Sequence, residues 1–279
     1  MTATVALPPE RLAYQLQFTH VTKTMARLPG WSDAAEAAVW GVTTETLQRI
    51  RAEFAAAVDR AARALLDEAD VAAQLRAFPF GAGRTLVALG DSITDDWQSW
   101  CEILRRLLQL ARPRDLPRLV NAGISGDTTA QALSRFIGVV QLQPDAVLCL
   151  LGTNDARLHG LQPAGTLLDL SETQRNLDHL RRFAQAQTRA DWWWITPARV
   201  LEERIRTHWF LQPLQVGFRS TDLDAVAALV RARPEPVIDL QPLFGPPVDP
   251  ELLLDDGLHP SLQGQMRIAR AVLARLAAA

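Results

Sequence analysis

Hydrophobic and polar positions follow one period near the start of the chain and another beyond it. Up to about residue 80 the repeat is helical. Leu47, Ile50, Phe54, Val58, Ala61 and Leu65 recur every three or four residues as one stripe, while Arg49, Arg51, Asp59, Arg60 and Arg63 fall off it. Thr43 suits the N-cap of this helix and Glu45 its first turn. An earlier helix opens at Pro8-Pro9-Glu10 and runs to roughly Leu28, where Pro29-Gly30 stops it. The apolar stripe has to be covered. The following domain is the simplest cover and a second subunit, in a homodimer, is the other, because two helices alone bury too little to stand independently.

Pro79-Phe80-Gly81-Ala82-Gly83 marks the boundary between the two regimes. Its Gly-x-Gly precedes a strand instead of following one, so it reads as a linker turn and not as a dinucleotide fingerprint. Residues 1–80 are therefore expected to form a helical extension and residues 81–279 the main domain. From Arg84 onward short apolar runs alternate with helical patterns. The strands expected are Thr85–Leu89, Leu119–Asn121, Ala146–Leu151, Asp191–Thr196 and Val237–Leu240. Helical patterns lie near 97–111, 128–141, 171–187 and 221–233, with a last helix from about Leu262 to Ala277. This alternation calls for a parallel sheet covered by helices on both faces, a three-layer α/β/α sandwich of about five strands. In Trp192-Trp193-Trp194, alternation sends Trp193 to one face and its neighbours to the other.

Composition narrows the function without naming it. The 279 residues are 48% hydrophobic and 22% charged, ordinary for a globular protein, and the net charge of -2 advertises neither nucleic acid nor an anionic membrane surface. Basic residues are almost all arginine, Lys23 being the sole lysine. Cys101 and Cys149 fall in an expected helix and an expected buried strand, which suits core packing better than a disulfide or a zinc site. The N-terminus lacks a signal-peptide pattern and no stretch approaches a membrane span, so a cytoplasmic protein is expected.

Candidate chemistry gathers after the strands. Gly90-Asp91-Ser92 follows the first, Asn121–Thr129 the second, Gly152-Thr153-Asn154-Asp155 the third, and Asp255-Asp256-Gly257-Leu258-His259-Pro260-Ser261 the last. Open parallel sheets place their ligand crevices at that edge. Ser92 is the candidate nucleophile, His259 the base that takes its proton, and Asp256 the carboxylate that fixes the imidazole; Asp255 is a rival, but the spacing favours Asp256. The backbone N–H groups of Ser92 and Gly126 and the side-chain amide of Asn154 are the natural oxyanion donors. A Gly-Asp-Ser tripeptide alone is only a turn. Four such segments in order, each after a strand, are hard to explain as coincidence.

At these residues the chain resembles the SGNH hydrolases, also called GDSL esterases and lipases. Gly90-Asp91-Ser92-Ile93-Thr94, the glycine of Ile124-Ser125-Gly126-Asp127, Gly152-Thr153-Asn154-Asp155 and Asp256-x-x-His259-Pro260 match that family's four blocks in order. The resemblance spans roughly residues 84–279 and leaves the first helices unexplained. It implies a flavodoxin-like sandwich, Ser-His-Asp catalysis on a small-molecule ester, and no metal or organic cofactor. Acyl esters, lipids and acetylated sugars all remain open as substrates. An acyltransferase using the same triad and a non-catalytic carbohydrate-binding protein are the alternatives. Asp91 and Asp155 read as loop supports; Asp91, His159, Trp209 and Phe210 are further candidates for substrate contact. The long segment Ala198–Ser220 either walls an acyl or aryl pocket or is merely anchored by its aromatics. The N-terminal helices could close over the active edge, mediate a homodimer or cover the sheet flank.

Overall fold

The computed structural model describes residues 7–25 and 28–278. The strands are β1 (Thr85–Gly90), β2 (Arg118–Gly123), β3 (Ala146–Leu150), β4 (Leu158–His159), β5 (Asp191–Ile195), β6 (Val216–Gly217) and β7 (Val237–Ile238). Five of them form one parallel sheet in the order β2-β1-β3-β5-β7, while β4 and β6 pair antiparallel in a separate two-stranded patch. The chain runs outward from β1 to β2 and then crosses to β3 on the other side. That reversal opens a crevice at the carboxyl ends of β1 and β3, where ligands of open α/β sheets bind.

The helices are α1 (Pro9–Gln17), α2 (Val21–Met25), α3 (Asp33–Val39), α4 (Thr44–Leu66), α5 (Ala69–Ala77), α6 (Ser92–Asp95) and α7 (Trp100–Ala111), then α8 (Thr129–Arg135), α9 (Ile137–Gln141), α10 (Leu170–Gln187), α11 (Glu202–Thr207), α12 (Ser220–Arg231), α13 (Gln241–Phe244) and α14 (Leu262–Ala277). Strand alternation divides the core. Leu86, Ala88, Leu148, Leu150 and Trp193 face α4, α5, α7 and α14, while Val87, Leu89, Val147, Cys149, Trp192 and Trp194 face α8, α9 and α10. Cys101 of α7 and Cys149 of β3, both buried and free, therefore belong to the cores on opposite faces of the sheet. Among the described residues, no helix is long and apolar enough to cross a membrane.

The stripe of α4 is buried within the chain itself. Val58, Ala61 and Leu65 join the core formed with α7 and α14, whereas Leu47, Ile50 and Phe54 pack on Leu12 and Leu16 of α1 and Ala37 of α3. No second subunit is needed to cover it. Thr43 caps α4 by accepting a hydrogen bond from the Thr46 N–H at 3.2 Å.

Two sequence expectations are corrected here. The first helix does not reach Leu28 but ends at Gln17, and α2 begins at Val21 after a bend. The break turns the chain after Phe18 so that His20 and Lys23 reach Asp95 at 2.5 Å, and the weak helix formers Phe18, Thr19, His20, Val21 and Thr22 permit it. The segment between Ala198 and Ser220 is not a plain loop, because it contains α11 and β6 and covers its own apolar cluster around Ile205, Leu211 and Phe218.

Candidate active site

Gly90 ends β1 because a side chain there would collide with Thr94 and approach the Leu150 carbonyl. The next residue, Asp91, is fully buried and accepts a hydrogen bond from the Ile93 N–H at 3.0 Å, which starts α6 and leaves Ser92 at its first turn. Ser92 Oγ lies 2.9 Å from His259 Nε2, and His259 Nδ1 lies 2.6 Å from Asp256 Oδ2. An ionised carboxylate only accepts, so Nδ1 carries the proton and Nε2 is free to accept from the serine hydroxyl.

The loop that brings His259 back is tightly bonded. The N–H groups of Leu258 and His259 donate to Asp256 Oδ1 at 2.8 and 2.9 Å, and the Leu254 N–H donates to the His259 carbonyl at 2.8 Å. Burial would raise the Asp256 pKa, but the charge of His259 and these hydrogen bonds hold it at about 2. For His259 burial acts the other way and lowers the pKa; the Asp256 carboxylate, with Asp96 and Asp91 behind it, outweighs burial, and the net shift is upward. Asp255 is exposed, so the rival carboxylate points elsewhere.

Facing Ser92 are the loops after β2 and β3. Gly126 sits at φ +85°, a conformation that favours glycine. Asn154 donates through Nδ2 to the Asp127 carbonyl at 3.1 Å, which orients the amide and leaves its second N–H unused. Asp155 ties the two loops together, accepting from the Thr129 N–H at 2.9 Å and from Thr173 Oγ1 at 3.0 Å. Asp95 Oδ2 accepts from both the N–H and the hydroxyl of Ser125 at 2.9 Å, pinning the residue before Gly126.

Ser92, Gly126, Asn154 and His259 open on a cavity of about 450 Å³, walled by Phe18, Phe210, Leu211, Val216, Phe218 and Leu258, with Leu214 half exposed at its rim. Arg157 also lines it. Its Nε is buried without a hydrogen-bond partner, it has no ion-pair partner among the described residues, and burial lowers its pKa, so it offers donors to a polar group in the cavity. A larger hollow of about 1190 Å³ opens at the opposite edge of the sheet, but no serine, cysteine or histidine lines it, and its Arg84–Asp145 and Arg181–Glu235 pairs neutralise one another.

Of the further candidates for substrate contact, only Phe210 lines the cavity. Asp91 is sealed behind Ser92, where burial raises its pKa to about 7. His159 is exposed, because alternation along β4 turns Leu158 inward and its neighbour out. Trp209 packs behind the wall, 5.6 Å from the Tyr14 ring and beneath the Arg11 guanidinium. Among the described residues, no three His, Cys, Asp or Glu side chains converge as a metal-ligand set.

Sequence reasoning offered closure of the N-terminal helices over the active edge as one of three roles but named none of the residues that reach it. Tyr14 donates its hydroxyl to Asp256 Oδ2 at 2.8 Å, and Phe18 stacks on the His259 ring with centroids 4.1 Å apart. His20 and Lys23 both reach Asp95 at 2.5 Å. An aromatic pair four residues apart is the one local signal, and it does not say what the pair will meet.

Comparison with known proteins identifies the family. The family model of the GDSL-like lipase/acylhydrolases matches residues 88–267. Esterase TesA of Pseudomonas aeruginosa is 31% identical over 68% of this chain and 87% of its own. An arylesterase of Vibrio mimicus is also 31% identical, over 70% of this chain and 89% of its own. The crystal structure of a lipase/acylhydrolase from Enterococcus faecalis superposes with a TM-score of 0.55 at 24% identity, covering 70% of this chain and 96% of that one, a likeness of fold. The chain therefore belongs to the GDSL-like lipase/acylhydrolase family and is a serine hydrolase of the SGNH type acting on ester bonds.

Proposed function

We propose that the protein hydrolyses small or medium carboxylic esters through an acyl-enzyme on Ser92, with His259 as base and then acid and Asp256 as its orienting carboxylate. The observation that carries this reading is the continuous line from Ser92 Oγ to His259 at 2.9 Å and on to Asp256 at 2.6 Å, opening on an apolar cavity. As Oγ attacks the ester carbonyl, its proton passes to Nε2. The imidazolium so formed faces the Asp256 carboxylate, which stabilises it without accepting its proton. The tetrahedral oxyanion would lie among the N–H groups of Ser92 and Gly126 and the free N–H of Asn154. His259 then protonates the departing alcohol, and a water molecule, activated in the same way, releases the acid.

The cavity of about 450 Å³ falls toward the smaller end of ligand sites, which span roughly 300–1,000 Å³. Its aromatic and aliphatic wall favours an acyl chain of a few carbons or an aryl ring, in keeping with relatives named esterase and arylesterase. The test is hydrolysis of p-nitrophenyl esters from acetate to octanoate by the wild type and by Ser92→Ala. Activity in the wild type that vanishes in a folded Ser92→Ala variant is expected. Equal activity in the two proteins would refute the assignment of the nucleophile.

A further inference from the structure

The segment Pro9–Met25 lies outside the residues matched by the family model, yet it reaches the groups around Ser92. Helix α1 has two working faces. Leu12 and Leu16 turn to α3 and α4, while Tyr14 and Phe18, one helical turn apart, turn to the site. Asp256 Oδ1 is held by two backbone N–H groups, and its Oδ2, among the described residues, by two side-chain donors, His259 Nδ1 at 2.6 Å and the Tyr14 hydroxyl at 2.8 Å. The Tyr14 ring is wedged between His208 and Trp209, with centroids 5.2 and 5.6 Å away, so the direction of its hydroxyl is fixed by packing. Burial and the neighbouring carboxylate push the Tyr14 pKa far above the ordinary phenol value, which keeps it a donor.

We propose that Tyr14 is a positioning residue for ester hydrolysis: its hydroxyl sets the rotamer and basicity of Asp256 and, through it, the orientation and basicity of His259. The proposal rests on the reading of Ser92, His259 and Asp256 as the triad. A donor on Oδ2 draws electron density from the carboxylate, so Asp256 holds the imidazolium proton less tightly. Removing that donor concentrates negative charge on the His259 N–H, which favours imidazolium and raises the pH needed for a neutral base. It also frees one side of the carboxylate to turn. Asp256 is itself fully buried, and Phe18 stacks on the imidazole it orients. The other ionisable groups facing His259 are Asp91 and Asp96 below it and His208 beyond Tyr14. A Tyr14→Phe change alters none of them.

Tyr14 is the only tyrosine in the chain, so two graded experiments are open in the full-length protein. In the first, Tyr14→Phe keeps the ring and deletes the hydroxyl. The expected result is a fall of about tenfold in kcat with little change in KM, and an acid limb of kcat/KM displaced upward by roughly half a unit to one unit. In the second, biosynthetic replacement of tyrosine by mono- and difluorotyrosine changes this residue alone and leaves the fold undisturbed. Fluorine makes the phenol a stronger donor, so the acid limb should step downward as fluorination increases. A profile indifferent to both changes, in a protein whose Ser92→Ala variant is inactive, overturns the role of Tyr14 and leaves the triad standing. Full activity of Ser92→Ala would instead remove the triad, and the proposal with it.

Discussion

The two rims of the active-site cavity are both aromatic, but different physics holds them. The rim built by α1 and α2 is fastened by polar ties to buried acids. Tyr14 reaches Asp256, Gln17 reaches Asp96 at 3.1 Å, and His20 and Lys23 reach Asp95. The opposite rim, with Phe210, Leu211 and Phe218, rests on an apolar cluster with Val200, Ile205 and Leu258 and on the short pairing of β4 with β6. The first rim touches Asp256 and His259, the residues proposed to move protons, whereas Phe210, Leu211 and Phe218 of the second wall the cavity. Changes in the first should therefore appear in kcat and pH dependence. Changes in the second should appear in KM and chain-length preference.

The largest effect belongs to the floor that both rims share. Asn154→Ala removes one of the proposed oxyanion donors and should lower kcat by about 10²–10³ while leaving KM nearly unchanged; steady-state kinetics on p-nitrophenyl acetate decides it. Next comes Lys23→Met on the polar rim. Lys23 also donates to the Gly123 carbonyl at 2.9 Å, and Asp95 holds Ser125 beside Gly126, so losing this cation loosens the oxyanion loop. A fall of about tenfold in kcat is expected, with a loss of roughly 1–3 kcal/mol in stability by chemical denaturation. Phe210→Ala on the apolar rim should raise KM for octanoate by about tenfold and leave acetate turnover unchanged. An altered acetate pH profile in that variant would break the division between the rims.

The smallest effect is thermodynamic. Asp91 is fully buried with its pKa raised to about 7 against an unfolded value near 3.9, so the folded state binds the extra proton between these limits. Stability contributed by protonated Asp91 is present below about pH 4 and is lost as pH climbs through about 7. Asp91→Asn, which can still accept from the Ile93 N–H, should be more stable than wild type at pH 8 by roughly 1 kcal/mol, with the gap closing toward pH 4. Thermal melts across that range test the sign.

Strands and their trailing loops were legible because both are local. Apolar runs such as Ala146–Leu150 need only their own sequence to declare burial on both faces, and Trp192, Trp193 and Trp194 split between the faces as alternation requires. Convergence of Ser92, Asn154 and His259 then follows from a parallel sheet gathering strand ends at one edge. What sequence could not supply was direction and distance. His159 lies five residues beyond Asn154, yet alternation on a two-residue strand sends it to solvent. Trp209 and Phe210 are neighbours, and only the second faces the cavity. Tyr14 and Asp256 are separated by 242 positions, and their contact depends on where α1 docks, with Phe18 against His259.

The central claim is that Ser92 is a nucleophile activated by His259. Labelling the full-length protein with a fluorophosphonate and locating the adduct by peptide mass spectrometry tests it most directly. The account predicts one adduct, on Ser92, formed at a rate that rises with pH as His259 loses its proton, and absent from Ser92→Ala. An unlabelled Ser92 in a protein that still hydrolyses esters, or an adduct on another residue that abolishes activity, would contradict it.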